Sequence, residues 1–104
     1  KTSAPATERL FIEGPEGPLE ALVETPATPV PGAVAVCCHP HPLFGGTMQN
    51  KVVHALARAA LDLGVPAVRF NFRGVGGSGG SYDHGAGEAE DAIAVADWAA
   101  RRFE

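Results

Sequence analysis

Three stretches of this sequence carry residue types that can do chemistry. The first is His39-Pro-His-Pro-Leu-Phe-Gly-Gly46, two imidazoles separated by one proline, followed by a second proline and two glycines. Imidazoles exchange protons near neutral pH or ligate metals. Glycines let backbone N–H groups approach a ligand and face a developing oxyanion. The second stretch, Gly74–Gly80, holds two literal patterns at once. Gly76-Gly77-Ser78-Gly79-Gly80 reads G-x-S-x-G and would make Ser78 a nucleophile. Gly74-Val75-Gly76-Gly77-Ser78-Gly79 reads G-x-G-x-x-G and would cradle a pyrophosphate. The third is the adjacent pair Cys37-Cys38, either two small apolar residues or a reactive thiol.

The elements around each stretch decide what it can do. Glu8–Gly14 and Pro18–Thr25 read as two strands of an antiparallel hairpin across the turn Gly14-Pro15-Glu16-Gly17. Three prolines between Thr25 and Gly32 make 26–32 a surface loop. Ala33–Cys38 is apolar without alternation, the pattern of a parallel strand buried on both faces. With Thr47 as N-cap, a helix is expected from Gln49 to Leu63, burying Val52, Leu56, Ala59 and Leu63. Pro66–Phe72 reads as a second buried strand. A final helix from Gly87 to Arg102 is expected to pack through Ala89, Ile93, Ala96 and Ala100, with Glu88, Glu90 and Asp91 in its first turns complementing the dipole.

This frame weighs against two of the patterns. Ser78 stands about six residues past the expected strand, and no helix follows at once, whereas a nucleophile elbow joins strand directly to helix. A dinucleotide site needs a helix N-terminus right behind the glycines, and here the helix starts late with acidic residues that oppose phosphate. The histidines either pin loop backbone or take part in chemistry. No H-E-x-x-H or paired-cysteine spacing supports a metal, and no cofactor is expected. Neighbouring cysteines on a strand point to opposite faces, so no internal disulfide is expected, and a reducing, cytoplasmic setting fits.

Composition narrows the classes further. The 104 residues, 45% hydrophobic, fit one domain spanning 1–104. A net charge of −4 argues against nucleic acid and anionic membranes as partners. No apolar run approaches ~18 residues, as a membrane span would require. The order β-β-β-α-β-α implies a parallel sheet with right-handed crossovers and an open-sheet ligand site above the strand ends at His39–Gly46. The hairpin is expected beyond Pro66–Phe72, leaving one edge of Ala33–Cys38 to be covered by something outside these residues, either the remainder of a longer chain or another copy.

The run His39-Pro-His-Pro-Leu-Phe-Gly-Gly-Thr-Met-Gln-Asn-Lys51, followed by Arg69-Phe-Asn-Phe-Arg-Gly-Val-Gly-Gly-Ser78, resembles the first half of a small α/β-hydrolase. Tyr82-Asp83-His84-Gly85-Ala86-Gly87-Glu88 and Asp97-Trp98 fit as well, and the likeness is strongest to the compact dienelactone-hydrolase-like esterase branch. The resemblance implies a three-layer αβα fold, an antiparallel hairpin followed by parallel β-α-β-α, as the N-terminal part of an α/β-hydrolase sheet that is incomplete as it stands. It implies a serine-type hydrolase of carboxylic esters or related acyl substrates. The backbone N–H of His41 or of Leu43 would form part of the oxyanion hole. Phe44 and Tyr82 would line the acyl pocket, and His39, Gly45, Gly46, Arg73 and Gly74 would shape the loops. The family's nucleophile, acid and base follow the second helix, so the 104 residues alone are expected to be inactive. Two competing readings are a non-catalytic assembly partner acting through an open sheet edge and a nucleotide-binding βαβ module.

Overall fold

A computed structural model describes residues 5–41 and 46–104. The elements run β1 (Ala6–Gly14), β2 (Gly17–Thr25), β3 (Ala35–Cys37), α1 (Lys51–Asp62), β4 (Ala67–Phe70) and α2 (Ala86–Arg102). The sheet order is β1-β2-β4-β3. β1 and β2 form the antiparallel hairpin, β2 pairs antiparallel with β4, and β3 pairs parallel with β4. The hairpin thus lies beyond β4, as the strand patterns predicted, and β3 is the outer strand among the described residues.

Alternation divides the sheet into two faces. Ile12, Leu19, Ala21, Val23, Val68 and Phe70 form one buried layer with Phe72, against which α2 sets Val95 and Ala99. The other face is smaller: Cys37 and Ala67 pack with Val53 and Ala57 of α1. Around this second cluster β2 and the β4 segment place Glu20, Glu24, Arg69 and Asn71, so its apolar contact is narrow.

Both helices contradict the expected packing stripes. In α1 the buried residues are Val53 and Ala57, while Val52, Leu56 and Leu63 are exposed at 64%, 53% and 75%. The apolar arc of α1 is broader than one contact with a sheet, and Val53 and Ala57 are the part of it that packs on Cys37 and Ala67. In α2 the buried residues are Gly87, Glu88, Asp91, Val95 and Ala99, and Ile93 is exposed, as are Ala89, Ala96 and Ala100. The inward face is the one carrying two acidic residues, because both have partners: Asp91 the Arg73 guanidinium, Glu88 the N–H groups of Asp83 and Gly85 just before the helix. The α1 N-cap is Asn50 rather than Thr47: its side chain accepts from the N–H groups of Val52 and Val53. Thr47 instead accepts from the Gln49 N–H in the turn before the helix. Of the two free cysteines, Cys37 is buried and Cys38 is exposed, so only one fits the expectation of a buried pair.

Candidate functional site

Two loops leave the carboxyl ends of the parallel strands β3 and β4 and meet. The first, beginning at His39, connects β3 to α1. The second, from Asn71 to Gly85, connects β4 to α2. Their contact is direct: the Tyr82 hydroxyl and His41 Nε2 lie 2.9 Å apart, with the rings tilted at 46°. The His84 ring also meets Tyr82 edge-on, with centroids 4.9 Å apart.

His39 anchors the start of the first loop. Its Nε2 accepts the Phe72 backbone N–H at 3.0 Å, so Nδ1 carries the proton and donates to the Pro40 carbonyl at 2.7 Å. Burial pushes this imidazole below its usual value, opposed by the Pro40 carbonyl. With both nitrogens committed and the ring edge-on to Phe72, His39 is a strut for the loop. Gly46 returns the loop to the body, donating its N–H to the His41 carbonyl at 3.2 Å. A Cβ at Gly46 would run into the Pro40 carbonyl, so this crossing admits glycine alone. Leu43, Phe44 and Gly45 lie outside the described residues.

The second loop is built around Arg73 and Ser78. The buried Arg73 guanidinium makes a two-pronged pair with Asp91, Nε to Oδ2 at 3.1 Å and Nη2 to Oδ1 at 2.9 Å, and also donates to the Gly87 carbonyl. The Arg73 N–H donates to the same carboxylate. Hydrogen bonding to Asp91 raises the guanidinium's pKa further, against burial. Gly87 has no room for a Cβ because the guanidinium occupies that space. Gly74, in the left-handed region at φ 75°, closes the turn by donating to Gly79. Ser78 Oγ donates to the Asn71 carbonyl at 2.7 Å and accepts the Glu20 N–H at 2.9 Å. The G-x-S-x-G hydroxyl is therefore tied to the hairpin and faces no base. Glu88 stitches the loop to α2: burial disfavours its charge, but N–H donors from Asp83 and Gly85 hold its carboxyl below the usual range. No helix N-terminus stands behind the Gly74–Gly80 turn, since α2 begins at Ala86.

Asp91, read from the sequence as a helix-dipole residue only, carries much of this geometry with Glu20 and Asn71, which were not singled out. For Asp91 a signal was present: an arginine directly after a buried strand needs a buried partner, and the next helix offers one. Among the described residues no group of three His, Cys, Asp or Glu is placed to hold a metal ion, and no helix is long and apolar enough to cross a membrane. A cleft of about 470 Å³ opens beside the hairpin turn, lined by Phe11, Glu13 and Pro15 among others, and includes none of the candidate site residues.

This arrangement has counterparts of known fold. An α/β serine hydrolase homologue from Coxiella burnetii superposes with a TM-score of 0.88 at 50% identity over 92% of this chain. A structure from Xanthomonas campestris, described as a member of the α/β serine hydrolases without a lid, superposes at 0.85 with 47% identity over 94%. An uncharacterized protein of Rickettsia prowazekii is 43% identical over 90 residues, 86% of this chain. No protein-family model matches the chain. The structures it matches at 47–50% identity are α/β serine hydrolase homologues, and the chain has the fold of the N-terminal part of an α/β-hydrolase sheet. It spans about half the length of the structures it matches, 46% and 47%, and 37% of the Rickettsia protein.

Proposed function

We propose that this chain forms the oxyanion side of a serine hydrolase acting on carboxylic esters or related acyl bonds, close in type to the compact dienelactone-hydrolase-like esterases. In this reading the backbone N–H of His41 or Leu43 donates to the oxyanion of the tetrahedral intermediate, and Tyr82, with Phe44, borders the acyl group. One such donor is worth about 3–4 kcal/mol of transition-state stabilisation. The nucleophile, acid and base are supplied by residues outside these 104, and a further strand covers the free edge of β3. The free thiols Cys37 and Cys38 support a reducing, cytoplasmic setting.

The observation that carries the proposal is the meeting of the β3–α1 loop with Tyr82 above the parallel strand ends, in a chain 47–50% identical to α/β serine hydrolases. The bonding of Ser78 supports the assignment of the nucleophile elsewhere. The test is hydrolysis of p-nitrophenyl acetate by the protein its reading frame encodes, by the 104-residue chain, and by its Ser78→Ala variant. The encoded protein should turn over the ester, while the chain and its variant stay together at background. Turnover by the 104-residue chain that Ser78→Ala abolishes would overturn the proposal.

A further inference from the structure

The β3–α1 loop is fastened at both ends to two consecutive residues beyond β4. At its start the His39 ring accepts from Phe72. At its end the Met48 N–H donates to Asn71 Oδ1 at 2.8 Å, while the Met48 carbonyl accepts from Arg69 Nη1 at 3.3 Å. Asn71 and Met48 are both buried.

Asn71 is also the meeting point of three other segments. Its N–H donates to the Glu20 carbonyl at 2.9 Å, its carbonyl accepts from Ser78 Oγ, and its Nδ2 donates to Glu20 Oε1 at 2.8 Å. The same Glu20 oxygen accepts the Gly77 N–H at 2.8 Å. A carboxylate can only accept, so Glu20 dictates which way the Asn71 amide faces. With nitrogen toward Glu20, the oxygen must face Met48. The hairpin and the glycine loop thereby determine where the β3–α1 loop ends.

We propose that Asn71 is a positioning residue that holds the β3–α1 loop in the geometry its backbone donors require, with its orientation set by Glu20. This deepens the reading above, and only its catalytic arm rests on that reading. Leucine at position 71 keeps the size and removes every side-chain bond. Aspartate keeps an acceptor for Met48 but puts a carboxylate oxygen where Nδ2 now meets Glu20, so the two acids repel. Leucine at position 20 instead keeps Asn71 and removes the acceptor that orients its amide, an oxygen that Gly77 also uses and that no amide nitrogen could replace.

The experiment is amide hydrogen exchange at Met48, with kcat and KM for p-nitrophenyl acetate, in the encoded protein and in its Asn71→Leu, Asn71→Asp and Glu20→Leu variants. Both Asn71 variants should speed Met48 exchange about tenfold, as expected for a lost buried hydrogen bond, with Val68 and Val95 unchanged. They should lower kcat about tenfold with KM within about twofold, the signature of a contact felt only in the transition state. Glu20→Leu should speed Met48 exchange and lower kcat in the same direction, by about threefold, because the Asn71 amide loses the partner that fixes its orientation. Met48 exchange that stays at the parent rate in the Asn71 variants, or rises only in step with Val68 and Val95, would overturn the proposal, as would a Glu20→Leu variant whose Met48 exchange equals the parent's. A parent protein that hydrolyses no acyl ester would overturn the functional reading, and the exchange measurements would still decide the role of Asn71.

Discussion

The two faces of the sheet are built on different principles. The α2 face is a dry layer in which Ile12, Leu19, Val23, Val68 and Phe70 pack against Val95 and Ala99, closed at one end by the Arg73–Asp91 pair. The α1 face has a small apolar centre, Cys37, Val53, Ala57 and Ala67, beside the polar groups Glu20, Glu24, Arg69 and Asn71. Apolar burial is non-directional and contributes stability wherever it occurs. Hydrogen bonds contribute less net stability but specify direction. The face under α2 carries the cohesion of the fold. The face under α1, where the β3–α1 loop lands, carries the precision.

The largest expected effect breaks the buried Arg73–Asp91 pair of the α2 face. Asp91→Ala leaves the Arg73 guanidinium buried without its carboxylate and should cost about 3–5 kcal/mol in urea unfolding. A loss under 1 kcal/mol would mean that water reaches the pair and that this end of the face is not dry.

A sharper comparison uses the same substitution on both faces. Val95 and Val53 are each fully buried, at 0% and 1% exposure. Val95→Ala should cost about 2–3 kcal/mol, because the surrounding layer is too interlocked to close the cavity. Val53→Ala should cost about 1–2 kcal/mol, because α1 has fewer buried neighbours and can settle into the space. Equal losses by denaturant titration would erase the distinction between the faces.

The smallest effect is a pH dependence at the loop. Burial holds His39 below the ordinary imidazole value of 6.5, with the Pro40 carbonyl pulling the other way, and its Nε2 must stay unprotonated to accept from Phe72. As pH falls through 6.5 the unfolded chain takes up a proton that the folded chain refuses. Stability from this group is thus complete above 6.5 and is lost as pH descends to the folded value. His39→Phe should cost about 1–2 kcal/mol at pH 7.5 and flatten that decline. A variant whose stability still falls with the parental slope below pH 6.5 would assign the dependence to another group.

The strands were legible because their signals are local. The turn at Gly14–Gly17, the alternation in β2 and the apolar runs before His39 and Arg73 each specify an extended segment, and together they predicted the hairpin beyond β4. The dismissal of the two glycine-loop patterns also rested on local spacing, and the bonding of Ser78 and the late start of α2 agree with that spacing. The helices were legible as helices but not as packing surfaces. α1 is apolar over much of its circumference, so periodicity cannot say which half meets the sheet. α2 was read as packing through Ala89, Ile93, Ala96 and Ala100, because small apolar residues are the ordinary choice for a buried stripe and a carboxylate is not.

What the sequence determined by itself is the order of elements, the two loops at the strand ends and the resemblance they carry. What only the tertiary structure decided is which polar groups go inside. Asp91 is buried because Arg73 arrives beneath it from the end of β4, and Asn71 faces Met48 because Glu20, 51 residues away in sequence, takes its other end. Propensity and pattern act over a few residues. A buried charge or amide is tolerated only when a partner from a distant segment meets it, and that meeting exists only once the chain has folded.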